Sequence, residues 1–275
     1  MPLVALVQLN GSSNIERNLS RTEEMVRRAA AAGARLVATP EATTYLGPHD
    51  RKVHLAEPVD GPTHQRLGAL AKELGISLLV GSVAERCPPV DGIPPDKAWN
   101  TSLLFGPDGK LTASYRKMHL FDVDLRESGG VRFFESDRTA RGQELVVAES
   151  TVGTLGLSIC FDLRFPEVYR GLCRMGAQIL CVPSAFTLHT GKDHWHTLLR
   201  ARAIENQCWV LAPGQWGPHD DDGLRRSYGH SLIVDPWGTV VAEVGDGEGI
   251  CLAEIDLTKS ERIRTQIPMD ANRQI

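Results

Sequence analysis

The chain has 275 residues, 42% hydrophobic and 23% charged, a globular balance that excludes intrinsic disorder and suffices for a sizeable core. A formal net charge of −4 offers no basic field, which argues against nucleic acid as a partner, and no apolar run approaches the roughly 20 residues that cross a bilayer. The six cysteines (Cys87, Cys160, Cys173, Cys181, Cys208, Cys251) lack C-x-x-C spacing, so neither a disulfide framework nor a zinc knuckle is expected, and reduced thiols in a cytoplasmic compartment are.

Residues 3–9 form an apolar run without a basic flank, broken at Gln8 and Asn10, which reads as a first strand and not as a signal peptide. Ser13-Asn14-Ile15-Glu16 has the pattern of a capping box opening an amphipathic helix that ends near Gly33. Leu36-Val37-Ala38-Thr39 follows as a second buried run. Pro40 closes it, because proline cannot continue a central ladder, and Glu41 is left at a strand's carboxyl end. A helix over 67–74, stopped by Gly75, and a strand over 76–80 repeat the unit. A hairpin of 101–105 and 111–115 then turns on Gly106-Pro107-Asp108-Gly109 and delivers Lys117 at its end. The second half alternates again: a strand over 155–159, a helix from Pro166, a strand over 179–182, a helix over 194–206, a strand over 208–211 and a hairpin within 232–241. Two such halves predict a single α/β domain with helices outside two face-to-face sheets; one doubly wound sheet is the alternative.

Cys160 stands where the run Leu155-Gly156-Leu157-Ser158-Ile159 breaks into Phe161-Asp162-Leu163-Arg164-Phe165-Pro166. A thiol held above a sheet edge by a turn has backbone N–H groups beside it that can donate to an oxyanion. The ordinary reading of a lone cysteine is packing, which suits Cys181 inside its apolar run; Asp162 and Arg164 beside Cys160 argue for chemistry. A thiol near its reference pKa of about 8.5 needs a base or a cation beside it to act at neutral pH, and Glu41 and Lys117 can supply them. Alone, each would read as a surface charge. The three together lie at carboxyl ends of strands, where α/β sheets open their crevice.

Pro40-Glu41, Tyr115-Arg116-Lys117-Met118-His119-Leu120-Phe121-Asp122 and Ile159-Cys160-Phe161-Asp162-Leu163-Arg164-Phe165-Pro166-Glu167 resemble, in order and spacing, the three signature segments of the nitrilase or carbon–nitrogen hydrolase superfamily. The resemblance implies a four-layer α-β-β-α sandwich, pairing into a homodimer or higher homo-oligomer through helical layers, and no metal or organic cofactor. It implies Cys160 as nucleophile, Glu41 as general base, and Lys117 with the Phe161 N–H as oxyanion donors. It also implies a second glutamate after the lysine, for which Glu135 in Phe-Glu-Ser is preferred and Glu127 is the alternative.

The segments 183–187, 190–195, 199–207, 215–219 and 226–231 look like the deaminated glutathione amidase branch, whose members release 2-oxoglutarate and cysteinylglycine. The ω-amidase branch, acting on 2-oxoglutaramate or 2-oxosuccinamate, is the rival reading. Either substrate is a small amide with an α-keto acid end that Arg164 could grip, with Phe186 and Thr190 as pocket walls. A non-catalytic scaffold is the alternative of another class, although a scaffold needs no thiol, carboxylate and ammonium together. His194-Trp195-His196 lacks acidic or cysteine partners at ligand spacing and reads as packing or capping. Gly229-His230-Ser231 lacks the second glycine of a serine elbow, and Asp220-Asp221-Asp222-Gly223 reads as a solvated turn.

Overall fold

In the computed structural model, which describes residues 1–88, 92–124, 126–128, 132–219 and 225–274, strands and helices alternate in two halves. The first half comprises β1 (Leu3–Gln8), α1 (Ile15–Ala31), β2 (Ala34–Ala38), α2 (His49–His54), α3 (Pro62–Leu74), β3 (Ser77–Arg86), β4 (Ala98–Phe105) and β5 (Leu111–Arg116). Three short strands follow, β6 (Asp122–Asp124), β7 (Arg132–Phe134) and β8 (Thr139–Ala140). The second half comprises β9 (Val146–Ser150), β10 (Gly153–Leu157), α4 (Pro166–Arg174), β11 (Ile179–Cys181), α5 (Leu188–Asn206), β12 (Trp209–Ala212), β13 (Trp216–Pro218), β14 (Arg226–Tyr228), β15 (Leu232–Val234) and β16 (Val240–Glu243). Strand β17 (Gly249–Glu254) returns to the first half, and α6 (Leu257–Gln266) ends the order. The segment 220–223 lies outside the described residues.

One sheet has the order β17-β1-β2-β3-β4-β5, with β8 beside β4; the other has the order β16-β15-β12-β11-β10-β9. Strands β1, β2 and β3 are parallel, and the antiparallel steps from β3 to β4 and from β4 to β5 turn β5 back into their direction. Strands β10, β11 and β12 are also parallel. The carboxyl ends of β2, β5 and β10 can therefore meet at one edge of the sandwich.

Side-chain alternation sorts the layers, since successive residues of a strand face opposite ways. In β1, Val4 and Leu6 join the core shared with Leu157, Ile179 and Leu180, whereas Ala5 and Val7 pack with Met25 and Val26 of α1. In β2, Leu36 and Ala38 face the shared core and Val37 faces the helices. Each fully buried leucine or valine is worth about 1.5–3 kcal/mol of transfer free energy, and both faces collect it. Helices α1 and α3 cover the first sheet, and α4 and α5 cover the second, which completes an α-β-β-α sandwich. Among the described residues no helix is long and apolar enough to cross a membrane.

Two local expectations are corrected. The N-cap of α1 is Asn14, whose Oδ1 accepts from the Arg17 N–H at 3.0 Å, and not Ser13. Helix α5 begins at Leu188 and not near His194; Gly191, which reads as a turn residue, is needed for close approach, because a Cβ there would stand 2.4 Å from the Tyr228 Cβ.

Gly81 passes under the turn that carries Glu41. A Cβ added there would meet the Thr39 carbonyl oxygen at 2.1 Å and the Pro183 Cβ at 2.4 Å, and neither is a flexible side-chain end. Gly81→Ala is predicted to destabilise the protein by about 1–3 kcal/mol, as overpacking does, read as a lower urea midpoint; an unchanged midpoint would contradict this placement.

Candidate active site

Glu41 lies just beyond β2, Lys117 directly beyond β5, and Cys160 just beyond β10. Two of the turns need left-handed backbone: Ala42 has φ 57° and Cys160 has φ 50°, conformations that cost a non-glycine residue roughly 1–2 kcal/mol and are held only by surrounding structure. At Cys160 that structure is visible. Its N–H donates to the Pro183 carbonyl at 2.9 Å, and the Asp162 carboxylate accepts from the Ile159 N–H at 2.9 Å. Asp162, fully buried, also accepts from Tyr115 Oη at 2.7 Å and from the His119 N–H at 3.0 Å. The Cys160 turn is thus pinned to the segment that carries Lys117.

Lys117 is 2% exposed, and a lone ammonium so placed would cost several kcal/mol. It is paired twice: Nζ donates at 2.8 Å to Glu41 Oε1 and at 2.9 Å to Glu135 Oε2. Asn100 on β4 joins the same carboxylates, with Nδ2 donating at 2.8 Å to Glu41 Oε1 and at 3.1 Å to Glu135 Oε1. The remaining lone pairs are satisfied by main chain, the Ala185 N–H at 2.8 Å from Glu41 Oε2 and the Phe121 N–H at 2.8 Å from Glu135 Oε2. Glu127 sits exposed in a 3₁₀ turn (Arg126–Ser128), outside this cluster.

Burial opposes each charge, and the neighbours decide the outcome. For Lys117 burial lowers the pKa, but Glu135 and Glu41 override it and hold the ammonium well above the usual lysine range. For Glu135 burial raises the pKa, and the ammonium groups of Lys117 and Lys52 pull it down to about 2. For Cys160 burial and the Glu41 carboxylate push the thiol well above its ordinary value, against the pull of Lys117. The resting site therefore holds a neutral thiol beside a carboxylate, so its proton must move when the sulfur reacts.

Cys160, Glu41, Lys117 and Glu135 line a cavity of about 630 Å³. Phe161 is the second residue of a 3₁₀ turn (Cys160–Arg164), a position whose N–H has no acceptor within the turn. Arg164, Phe186 and Thr190 line a small recess that shares Cys160 with the cavity, with the guanidinium carbon 5.1 Å from the Phe186 ring centre. Every residue given a catalytic, oxyanion or substrate-binding part in the sequence analysis, Glu127 excepted, thus lines the cavity or the recess beside the thiol. Sequence reasoning missed Asn100, hidden in the wholly buried strand β4, and the cavity lysine Lys52, which lies in the polar helix α2. The cleft-distant His196 and His230 rings both meet Glu243 Oε1, at 3.0 and 2.6 Å, a grouping that the sequence separation conceals.

Residues 3–265 match the family model for carbon–nitrogen hydrolases. The chain belongs to the carbon–nitrogen hydrolase family. It is 41% identical over 268 residues to a deaminated glutathione amidase of Synechocystis sp., covering 97% of this chain and 96% of that protein. The crystal structure of the Caenorhabditis elegans NitFhit protein superposes with a TM-score of 0.90 at 39% identity, covering 99% of this chain and 65% of that one. Saccharomyces cerevisiae Nit3, a member of branch 10 of the nitrilase superfamily, superposes at 0.85 with 35% identity, covering 98% and 94%. This carbon–nitrogen hydrolase accordingly has the nitrilase sandwich that its sequence implied.

The pairing of Glu135 has a pH signature. A carboxylate whose folded pKa is depressed to about 2 adds stability above its ordinary value near 4.5 and loses that stability as pH falls from there towards 2. Wild type is predicted to exceed Glu135→Gln in unfolding free energy at pH 6, with the gap narrowing between pH 4.5 and the lowest pH at which both still fold. A gap that widens on acidification would contradict the assignment.

Proposed function

We propose that this carbon–nitrogen hydrolase is an amidase that cleaves deaminated glutathione to 2-oxoglutarate and cysteinylglycine through a thioester on Cys160. The observation that carries the chemistry is the thiol beside Glu41, with the Lys117 ammonium fixed on that same carboxylate at 2.8 Å. Glu41 takes the thiol proton as Cys160 Sγ attacks the amide carbon. The oxyanion is stabilised by Lys117 Nζ and the Phe161 N–H. Protonated Glu41 then gives its proton to the departing amine, and the C–N bond breaks. Water, deprotonated by the regenerated Glu41, attacks the thioester and expels the thiol. Glu135 holds Lys117 and orients the reacting water or substrate.

The substrate reading draws on space and charge as well as on the similar amidases. A cavity of about 630 Å³ is roomy for 2-oxoglutaramate and suits a molecule of tripeptide size. Arg164 in the side recess offers a guanidinium to the α-keto carboxylate of the acyl half, with Thr190 and Phe186 bounding it.

Two measurements test this function. Assayed side by side, deaminated glutathione is expected to exceed 2-oxoglutaramate in kcat/KM, and a value at least tenfold higher for 2-oxoglutaramate would overturn the substrate assignment. In single-turnover experiments Cys160→Ala abolishes acylation, while Glu41→Gln and Lys117→Ala each slow it by at least about a hundredfold. Wild-type acylation in any of the three would remove the role given to that residue.

A further inference from the structure

Beyond Cys160, the cavity wall carries a lysine that the chemistry leaves unused. Lys52, on α2, is half-buried and lines the cavity. Its ammonium has one hydrogen bond among the described residues, to Thr139 Oγ1 at 3.3 Å, and no carboxylate within salt-bridge distance. Lys117 consumes the two carboxylates of the site, so Lys52 faces the space with its charge unmatched by direct contact. Two neighbours on the same wall shape what can bind. Arg225 stands over the Phe133 ring at 5.6 Å and donates to the Gly47 carbonyl at 2.5 Å. Burial and Lys52 together push His49 down to about 4, leaving a neutral imidazole at pH 7. The wall thus presents cationic side chains and a polar ring to the cavity.

A half-buried ammonium with a single hydroxyl partner is compensated when an anion arrives, and carboxylates suit it because a charge-assisted hydrogen bond in a low-dielectric cavity outweighs one in water. We propose that Lys52, backed by Arg225, forms a carboxylate-binding subsite for the leaving-group end of the substrate. Resting on the function proposed above, the occupant is the glycine carboxylate of the cysteinylglycine half. Arg164 then serves one end of the substrate and Lys52 the other, with Cys160 between them. This arrangement selects peptide-like amides ending in a free acid over short amides with one charged end.

The test compares deaminated glutathione with its C-terminal amide, which differs only in lacking the glycine carboxylate. For wild type the acid is expected to exceed the amide in kcat/KM by about ten- to hundredfold, the worth of one charged hydrogen bond. In Lys52→Met the ratio falls towards one, chiefly through KM, and Lys52→Arg, which keeps a cation, restores most of it. A wild-type ratio near one overturns the subsite. A ratio unchanged in Lys52→Met also overturns it, because a merely structural lysine, or one acting only on Glu135, lowers both substrates alike. If wild type cleaves neither compound, the substrate reading has failed, and the subsite is then read separately with N-acetylglycine as the probe. Protection of Cys160 from iodoacetamide by N-acetylglycine in wild type but not in Lys52→Met upholds the subsite, and no protection in wild type refutes it.

Discussion

A lysine ammonium held between two carboxylates, out of reach of water, sets the conditions for everything else at this site. Lys117 is stable as a cation there because Glu41 and Glu135 both lie within 3 Å, and the ammonium groups of Lys117 and Lys52 in turn hold the Glu135 carboxyl well below its ordinary range. Removing Lys117 leaves two buried carboxylates without their cation, which costs more than an exposed ion pair could ever contribute. The sandwich meets this demand by bringing β2, β5 and β10 to one edge and by using main-chain N–H groups of Phe121 and Ala185 to satisfy the remaining oxygens.

The same charge arrangement explains why the thiol rests neutral. With two carboxylates against one ammonium beside it, a thiolate would add a further anion to a dry site, and burial reinforces the penalty. A thiol held neutral in this way must give up its proton for the sulfur to react, and a neighbouring carboxylate such as Glu41 can accept it. Asp162 contributes indirectly: by accepting from Tyr115, His119 and Ile159 it ties the strained Cys160 turn to the lysine-bearing segment. Strain at Cys160 is thereby offset by a buried network some residues away.

Much of this was legible in the chain because the signals were local. Pro40 ends the run before Glu41, Gly75 takes the left-handed cap of α3 with φ 63°, and Gly106-Pro107-Asp108-Gly109 turns the hairpin that delivers Lys117. The strands themselves were harder to orient, since β1, β2 and β3 are buried on both faces and read as continuous apolar runs without a period of two. Asn100 escaped notice for that reason: it sits with Thr101 and Ser102 in a strand with every position buried, and its role appears only when Glu41 and Glu135, 59 and 35 residues away, fold against it. Lys52 was hidden differently. Its helix carries His49, Asp50, Arg51 and His54, which is the composition of a solvated face, and only the tertiary fold turns the lysine inward. The choice of Glu135 over Glu127 likewise rested on motif resemblance, whereas the fold separates them by burial, with Glu135 at 5% exposure and Glu127 exposed.

The central claim is that this buried cluster drives covalent chemistry at one sulfur. Acid-quenched enzyme turning over deaminated glutathione, analysed as intact protein and by peptide mapping, addresses it directly. The account predicts a mass increase of one 2-oxoglutaryl group, located on Cys160 and absent from Cys160→Ala. Steady hydrolysis by wild type with no adduct accumulating under any quench, together with turnover surviving in Cys160→Ala, would contradict it.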